Sequence, residues 1–161
     1  MNQSLPVSPP EVACAAQYGA LCWRLHRGKV EVLLITSRDT GRWVIPKGWP
    51  MKGMTPSQAA AREAWEEAGV QGVAETVQMG SFTYDKIMAP KPPVACAVEV
   101  FPLRVKEMKS RFPERKQRRR KWFAAEKAAR KVAEAGLRTL ILSLAHTPSE
   151  DVVRPADLAH P

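Results

Sequence analysis

At 161 residues, with 45% apolar and 25% charged side chains, the chain fits a single globular domain with room for a real core. Its opening MNQSLPVSPP has neither a basic start nor an apolar stretch, and the longest apolar runs, near residues 33–36 and 140–145, are far too short for a bilayer, so the sequence predicts no signal peptide and no membrane span. The net charge of +9 is concentrated: residues 104–131 carry thirteen Lys or Arg against three Glu, while the rest of the chain sums to −1, which calls for a polyanionic partner such as nucleic acid, an anionic surface or a highly phosphorylated small molecule.

Read in chain order, residues 1–12 and 147–161 are rich in Pro, Ser and Asp and are expected to be mobile tails around one domain at 13–146. Residues 17–25 (QYGALCWRL) and 30–36 (VEVLLIT) read as two strands joined at a turn containing Gly28. Asp39-Thr40-Gly41 marks another turn, Trp43-Val44-Ile45 a short apolar strand halted by Pro46, and residues 47–54 a loop with two Gly and one Pro. Residues 77–86 and 93–105 read as a further strand pair, the second almost continuously apolar as a buried strand would be. Trp122-Phe123 reads as one more short strand, and a single C-terminal helix is expected from near Ala125 through residues 137–145. Cys14, Cys22 and Cys96 are odd in number and scattered, which suits neither a disulfide framework nor a zinc site and points to reduced, mostly buried thiols in the cytoplasm. His26, His146 and His160 have no ligand spacing and read as surface residues.

The best-defined element is a central helix. Thr55 caps it, Pro56 takes the first helical position, Gln58 the third, and Gly69 ends it. Strands on either side of it and a second helix at the end imply helices on both faces of a mixed sheet. Glu63, Glu66 and Glu67 lie at i, i+3 and i+4 in its last two turns. Like charges at this spacing each cost about 0.2–0.5 kcal/mol, and the helix C-terminus prefers cations. Arg62 can pair with Glu66 but cannot neutralise three anions. A bound divalent cation would, since Mg²⁺ is held by a few carboxylates together with substrate phosphates. Taken alone, such a cluster reads equally well as a solvated acidic face.

Its surroundings distinguish the two. Gly48, Met54, then Arg62-Glu63-Ala64-Trp65-Glu66-Glu67-Ala68-Gly69-Val70, spread over 23 positions and preceded by WVIPK, resemble the Nudix box, G-x5-E-x7-R-E-U-x-E-E-x-G-U, with U a bulky aliphatic residue. Met54 stands where the pattern has its first Glu and Ala64 where it has a larger aliphatic. Thr36-Ser37-Arg38, Phe112-Pro113-Glu114, Arg118 and Lys121-Trp122-Phe123 are similar to the diphosphoinositol and diadenosine polyphosphate phosphohydrolase branch of that superfamily. The resemblance implies an α/β fold, an α/β/α sandwich with a mixed sheet between helices. It also implies Mg²⁺ or Mn²⁺ as cofactor and hydrolysis of a diphosphate linkage by water.

By the same resemblance Glu63 and Glu67 are metal ligands, Glu66 is the general base or a further ligand, and Arg62 orients a catalytic Glu. Lys47, Gly48, Trp49, Arg38 and Arg118 are the implied substrate-binding residues, and Glu114 an additional acid on a loop. The implied substrate is an anionic small-molecule diphosphate. The run RKQRRRK at 115–121 by itself reads as a solvated or nucleic-acid-binding tract, so the competing expectation is a protein that binds RNA, or processes its 5′ end, on the same scaffold.

Overall fold

The computed structural model describes residues 14–146; both expected tails, and residue 13 of the expected domain, lie outside them. Along the chain run β1 (Cys14–His26), β2 (Lys29–Thr36), β3 (Trp43–Val44), β4 (Lys47–Gly48), α1 (Pro56–Ala68), β5 (Val70–Ala74), β6 (Gly80–Met88), β7 (Lys91–Met108), β8 (Arg120–Ala124), α2 (Ala125–Lys131) and α3 (Ala135–His146). The strands form one mixed sheet. Its main path is β3-β2-β1-β7-β5, with β4 on β1, β6 on β7 and β8 on β2. The β1–β7 pairing is parallel and the others are antiparallel.

Strand alternation divides the core between the two faces of this sheet. Leu21, Trp23, Val32, Leu34, Val98 and Val100 face one way, where α2 and α3 cover them through Ala128, Ala129, Leu137 and Ile141. Their neighbours Ala20, Cys22, Leu33, Ile35, Phe101 and Leu103 face the other way, against Ala60, Ala64 and Ala68 of α1. Each fully buried Leu or Ile contributes about 1.5–3 kcal/mol. The three alanines let α1 lie close on its face of the sheet. The result is the α/β/α sandwich that the sequence implied.

Helix α1 starts and stops where its residues dictate. The Thr55 side chain accepts from the Gln58 N–H at 3.3 Å, and the Gln58 side chain accepts from the Thr55 N–H at 3.0 Å. Gly69 adopts φ 68°, and its N–H donates to the Trp65 carbonyl. The sequence reading misses what comes next. The reversal at Gly69 feeds directly into β5, which pairs with β7 around a bulge at Gln71/Gly72. Residues 77–79 precede β6, and Val77 is exposed. Lys47 and Gly48, expected in a loop, pair with Gly19 and Tyr18 of β1. The single C-terminal helix is two. Val132 turns to extended φ/ψ and bridges Trp43, which breaks the helix between α2 and α3. Cys22 and Cys96 are buried, Cys14 is exposed, and all three are free.

Candidate active site

Three structural elements bring the box residues together. On α1, Glu63 and Glu67 are one turn apart on the inner side, 9% and 7% exposed. Opposite them runs β4, where Gly48 leaves room for the Glu63 carboxylate: a Cβ there would land on it and push it from its place. The Lys47 N–H donates to Glu67 Oε1 at 3.3 Å. The third element is the β7–β8 connection. Glu114 N–H donates to the Glu66 carbonyl, Lys109 N–H to the Gly69 carbonyl, and Arg120 Nη1 to the Ala68 carbonyl at 2.7 Å. These bonds satisfy the open C-terminus of α1 and place a cation at its negative end.

Between the elements lies a cleft of about 240 Å³ whose walls include Arg38, Lys47, Gly48, Trp49, Glu63, Glu67, Glu114 and Arg118. Eight residues singled out in the sequence therefore share one cavity. Glu66 and Arg62 are not on its wall. They pair with each other, Arg62 Nε to Glu66 Oε2 at 2.8 Å, on the more exposed side of α1. Arg118 does face the cleft, but its donors are directed at protein: Glu114 at 2.8 Å, Glu67 at 3.7 Å and the Thr36 carbonyl at 3.1 Å. It supplies the positive charge the two acids share. Arg38 is exposed at the rim and reaches Gln117 at 3.0 Å.

The sequence reading overlooked Gln17, Tyr84 and Lys86, which complete the cleft from β1 and β6. Tyr84 Oη donates to Gln17 Oε1 at 2.7 Å, and Lys47 Nζ lies 4.7 Å from the centre of the Tyr84 ring. Period-two alternation from the core residue Phe82 would have placed Tyr84 and Lys86 on one face, the face that α2 and α3 cover at Phe82, but nothing local says that at Tyr84 it opens into the cleft. Glu134, at the α2–α3 break, was also unforeseen. Its Oε2 pairs with Arg42 at 3.3 Å, and its Oε1 is buried without a hydrogen-bond partner among the described residues.

Electrostatics follow from crowding. Burial, and then the neighbouring charge of Glu67, push the Glu63 carboxyl up to about 8, with Glu66 and Glu114 adding to the shift. Burial also raises Glu67, against the pull of Arg118 and Lys47. Burial pushes Lys47 below the ordinary lysine range, and Glu67 and Glu134 oppose it. Acids so placed hold a proton unless a cation replaces it. The donor set, hard carboxylate oxygens around a space kept open by Gly48, suits Mg²⁺ or Mn²⁺. Among the described residues no three acid, His or Cys groups already form a cation cage.

Comparison with known proteins gives the family of the fold. The NUDIX domain matches residues 16–144. Nudix hydrolase 12, mitochondrial, of Arabidopsis thaliana is 34% identical over 103 residues, covering 62% of this chain and 51% of that protein. Mouse diphosphoinositol polyphosphate phosphohydrolase 3-alpha is 42% identical over 52 residues, 32% of each chain. Among solved structures, the C. elegans Ap4A hydrolase superposes with a TM-score of 0.56 at 24% identity, over 80% of this chain and 94% of that one. The chain spans about half the length of the plant relatives it matches. Among the described residues no helix is long and apolar enough to cross a membrane.

Proposed function

Because the chain belongs to the NUDIX domain family, we propose that it is a Mg²⁺- or Mn²⁺-dependent pyrophosphohydrolase that cleaves a diphosphate linkage in a nucleoside diphosphate derivative. The favoured substrate is highly phosphorylated, such as a diadenosine polyphosphate or an inositol pyrophosphate. One observation carries the reading: Glu63, Glu67 and Glu114 share a cleft with Lys47 and Gly48. Glu63 and Glu67 would hold the metal, with Glu66 as a further ligand or as general base. When bound, the metal neutralises diphosphate oxyanions and makes water a better nucleophile.

The protein's own groups have separable tasks. Arg62, paired with Glu66 at 2.8 Å, orients that carboxylate. Glu114, on the cleft wall, is an acid able to take a proton from attacking water. Lys47 and the Gly48 backbone bind the phosphate beside the metal, and Arg38 at the rim binds a phosphate farther out. Trp49, 42% exposed at the wall, offers a flat surface to a base or ring. Arg118 holds Glu67 and Glu114 until substrate and cation enter, then is free to contact phosphate. The compartment we propose is the cytoplasm, on the free thiols; three Arabidopsis relatives carry "mitochondrial" in their names, and fractionation of the tagged protein decides between the two.

RNA binding is the second reading, supported by the exposed Arg115, Lys116, Arg119 and Lys121. It accounts for less, because Arg118 and Arg120 of the same run are tied to Glu114, Glu67 and the end of α1. The test is a panel of nucleoside and inositol diphosphates with Mg²⁺, followed by mononucleotide or phosphate release. Replacing Glu67 by Gln should lower turnover at least about 100-fold with the fold retained, the scale of loss seen when a group stabilising transition-state charge is removed. Activity equal to wild type in E67Q would refute the metal-site assignment.

A further inference from the structure

Glu63, Glu67 and Glu114 reach the cleft from α1 and the β7–β8 connection and Asp39 from the turn after β2, while the wall formed by β1 and β6 carries donors, Gln17, Tyr84 and Lys86. Gln17 on β1 is a polar residue only 2% exposed, and it lines the cleft. The sheet register accounts for its partner. Gln17 stands opposite Val98 of β7, and Tyr84 of β6 stands opposite Cys96, two residues along the same strand. Tyr84 Oη therefore reaches Gln17 Oε1 at 2.7 Å. With the carboxamide oxygen taken, the NH₂ end is the part of this side chain left for the cavity. It is not a sealed orphan, since the buried side-chain polar atom without a partner among the described residues is Glu134 Oε1. Two cations flank it. Lys47 is held over the Tyr84 ring, and Lys86 follows Tyr84 by two residues on the same face of β6 and lines the cleft. Their fields oppose each other. Two neighbouring ammonium groups and a buried amide donor, with a tyrosine hydroxyl spent on aiming the amide, form an arrangement that costs stability until an anion occupies it.

We propose that Gln17, Lys47 and Lys86 form a second phosphate subsite, which takes the phosphoryl group adjoining the metal-held one, and that Tyr84 is the positioning residue that turns the Gln17 NH₂ toward that group. Gln17 and Lys86 are then binding residues for the second phosphoryl group of the diphosphate. The identity of the anion rests on the hydrolase reading above, whereas the existence of the subsite does not.

The probe is imidodiphosphate, whose P–N–P bridge resists hydrolysis, titrated calorimetrically into the full chain with Mg²⁺ and, separately, with EDTA. Wild type should bind in Mg²⁺. Q17M, close in shape but without a donor, should bind about tenfold more weakly, as expected for loss of a hydrogen bond to a charged acceptor. K86M should weaken binding in both buffers. Y84F keeps the ring under Lys47 and removes only the hydroxyl, so it covers the case in which Q17M fails to fold. It should weaken binding in the same direction, and the Q17M/Y84F double variant should be no weaker than Q17M alone, because Tyr84 acts through Gln17. A purely structural Tyr84 would give additive losses and a lowered Tm instead. The subsite is overturned by no binding to wild type in either buffer, by wild-type affinity in Q17M and Y84F, or by that additive pattern. Failure of the hydrolase reading looks different: Gln17-dependent binding persists, and no diphosphate in the panel is turned over.

Discussion

If Glu63 and Glu67 hold the metal, the proton they share must leave when it binds, so metal affinity and pH are linked through a measurable stoichiometry. The Glu63 carboxyl is pushed up to about 8 by burial and by Glu67. At pH 7 that site is then about nine-tenths protonated, at pH 8 about half, and at pH 9 about one-tenth. A divalent cation needs the carboxylate, so it should release about 0.9 proton per site at pH 7 and about 0.1 at pH 9. The apparent Mg²⁺ affinity should rise about tenfold per pH unit from pH 6 toward 8 and level off above. Titrating Mg²⁺ calorimetrically in two buffers of different ionisation enthalpy reads the released protons directly. Replacing Glu63 by Gln should abolish the release and weaken binding at every pH. Mg²⁺ binding that is tight, independent of pH from 6 to 8 and without proton release would refute the assignment of the cation to these two acids.

Three further outcomes follow from the same geometry. Without metal, the folded chain binds a proton at Glu63 up to about pH 8, which an unfolded glutamate with its ordinary value of 4.5 does not; stability from this group is complete below about 4.5 and lost as pH rises through 8. Thermal unfolding in EDTA should show Tm falling from pH 6 to 8.5 in wild type and a flatter profile in E63Q. At Gly48, G48A puts a Cβ where the Glu63 carboxylate lies; the carboxylate ends a flexible side chain and would swing aside, so the stability cost should sit at the low end of the roughly 1–3 kcal/mol of overpacking while most Mg²⁺-dependent turnover is lost; wild-type turnover in a folded G48A would contradict the packing. Salt separates the two functional readings: turnover of the best small diphosphate should survive about 0.15 M salt, whereas RNA binding through the basic run should fall with a log–log slope of about −0.7 per phosphate contact. Salt-resistant, sequence-selective RNA binding with no hydrolysis would reverse the preference.

What could be read locally was read from the chain alone. The cap at Thr55, the stop at Gly69 and the spacing of Glu63, Glu66 and Glu67 depend on neighbours within a few residues, and the spacing of Gly48 from the acids is carried by the motif. The two-faced sheet was legible too, because β1, β2 and β7 each carry a nearly continuous apolar run, as strands covered on both faces do. Tertiary structure alone decided the rest. A 13-residue helix gives no sign of which carboxylate turns inward, and it is the packing of Ala60, Ala64 and Ala68 on the sheet that buries Glu63 and Glu67 and leaves Glu66 outside with Arg62. The break before α3 comes from the bridge of Val132 to Trp43, 89 residues earlier in the chain, and propensity cannot register a partner so distant. Arg118 reads as one cation in a basic run until the β7–β8 connection docks on α1 and gives it two acids to serve. Gln17 and Tyr84, 67 residues apart, carry no motif at all. Their meeting is set by the register of β1 and β6 across β7, a property of the sheet and not of either strand.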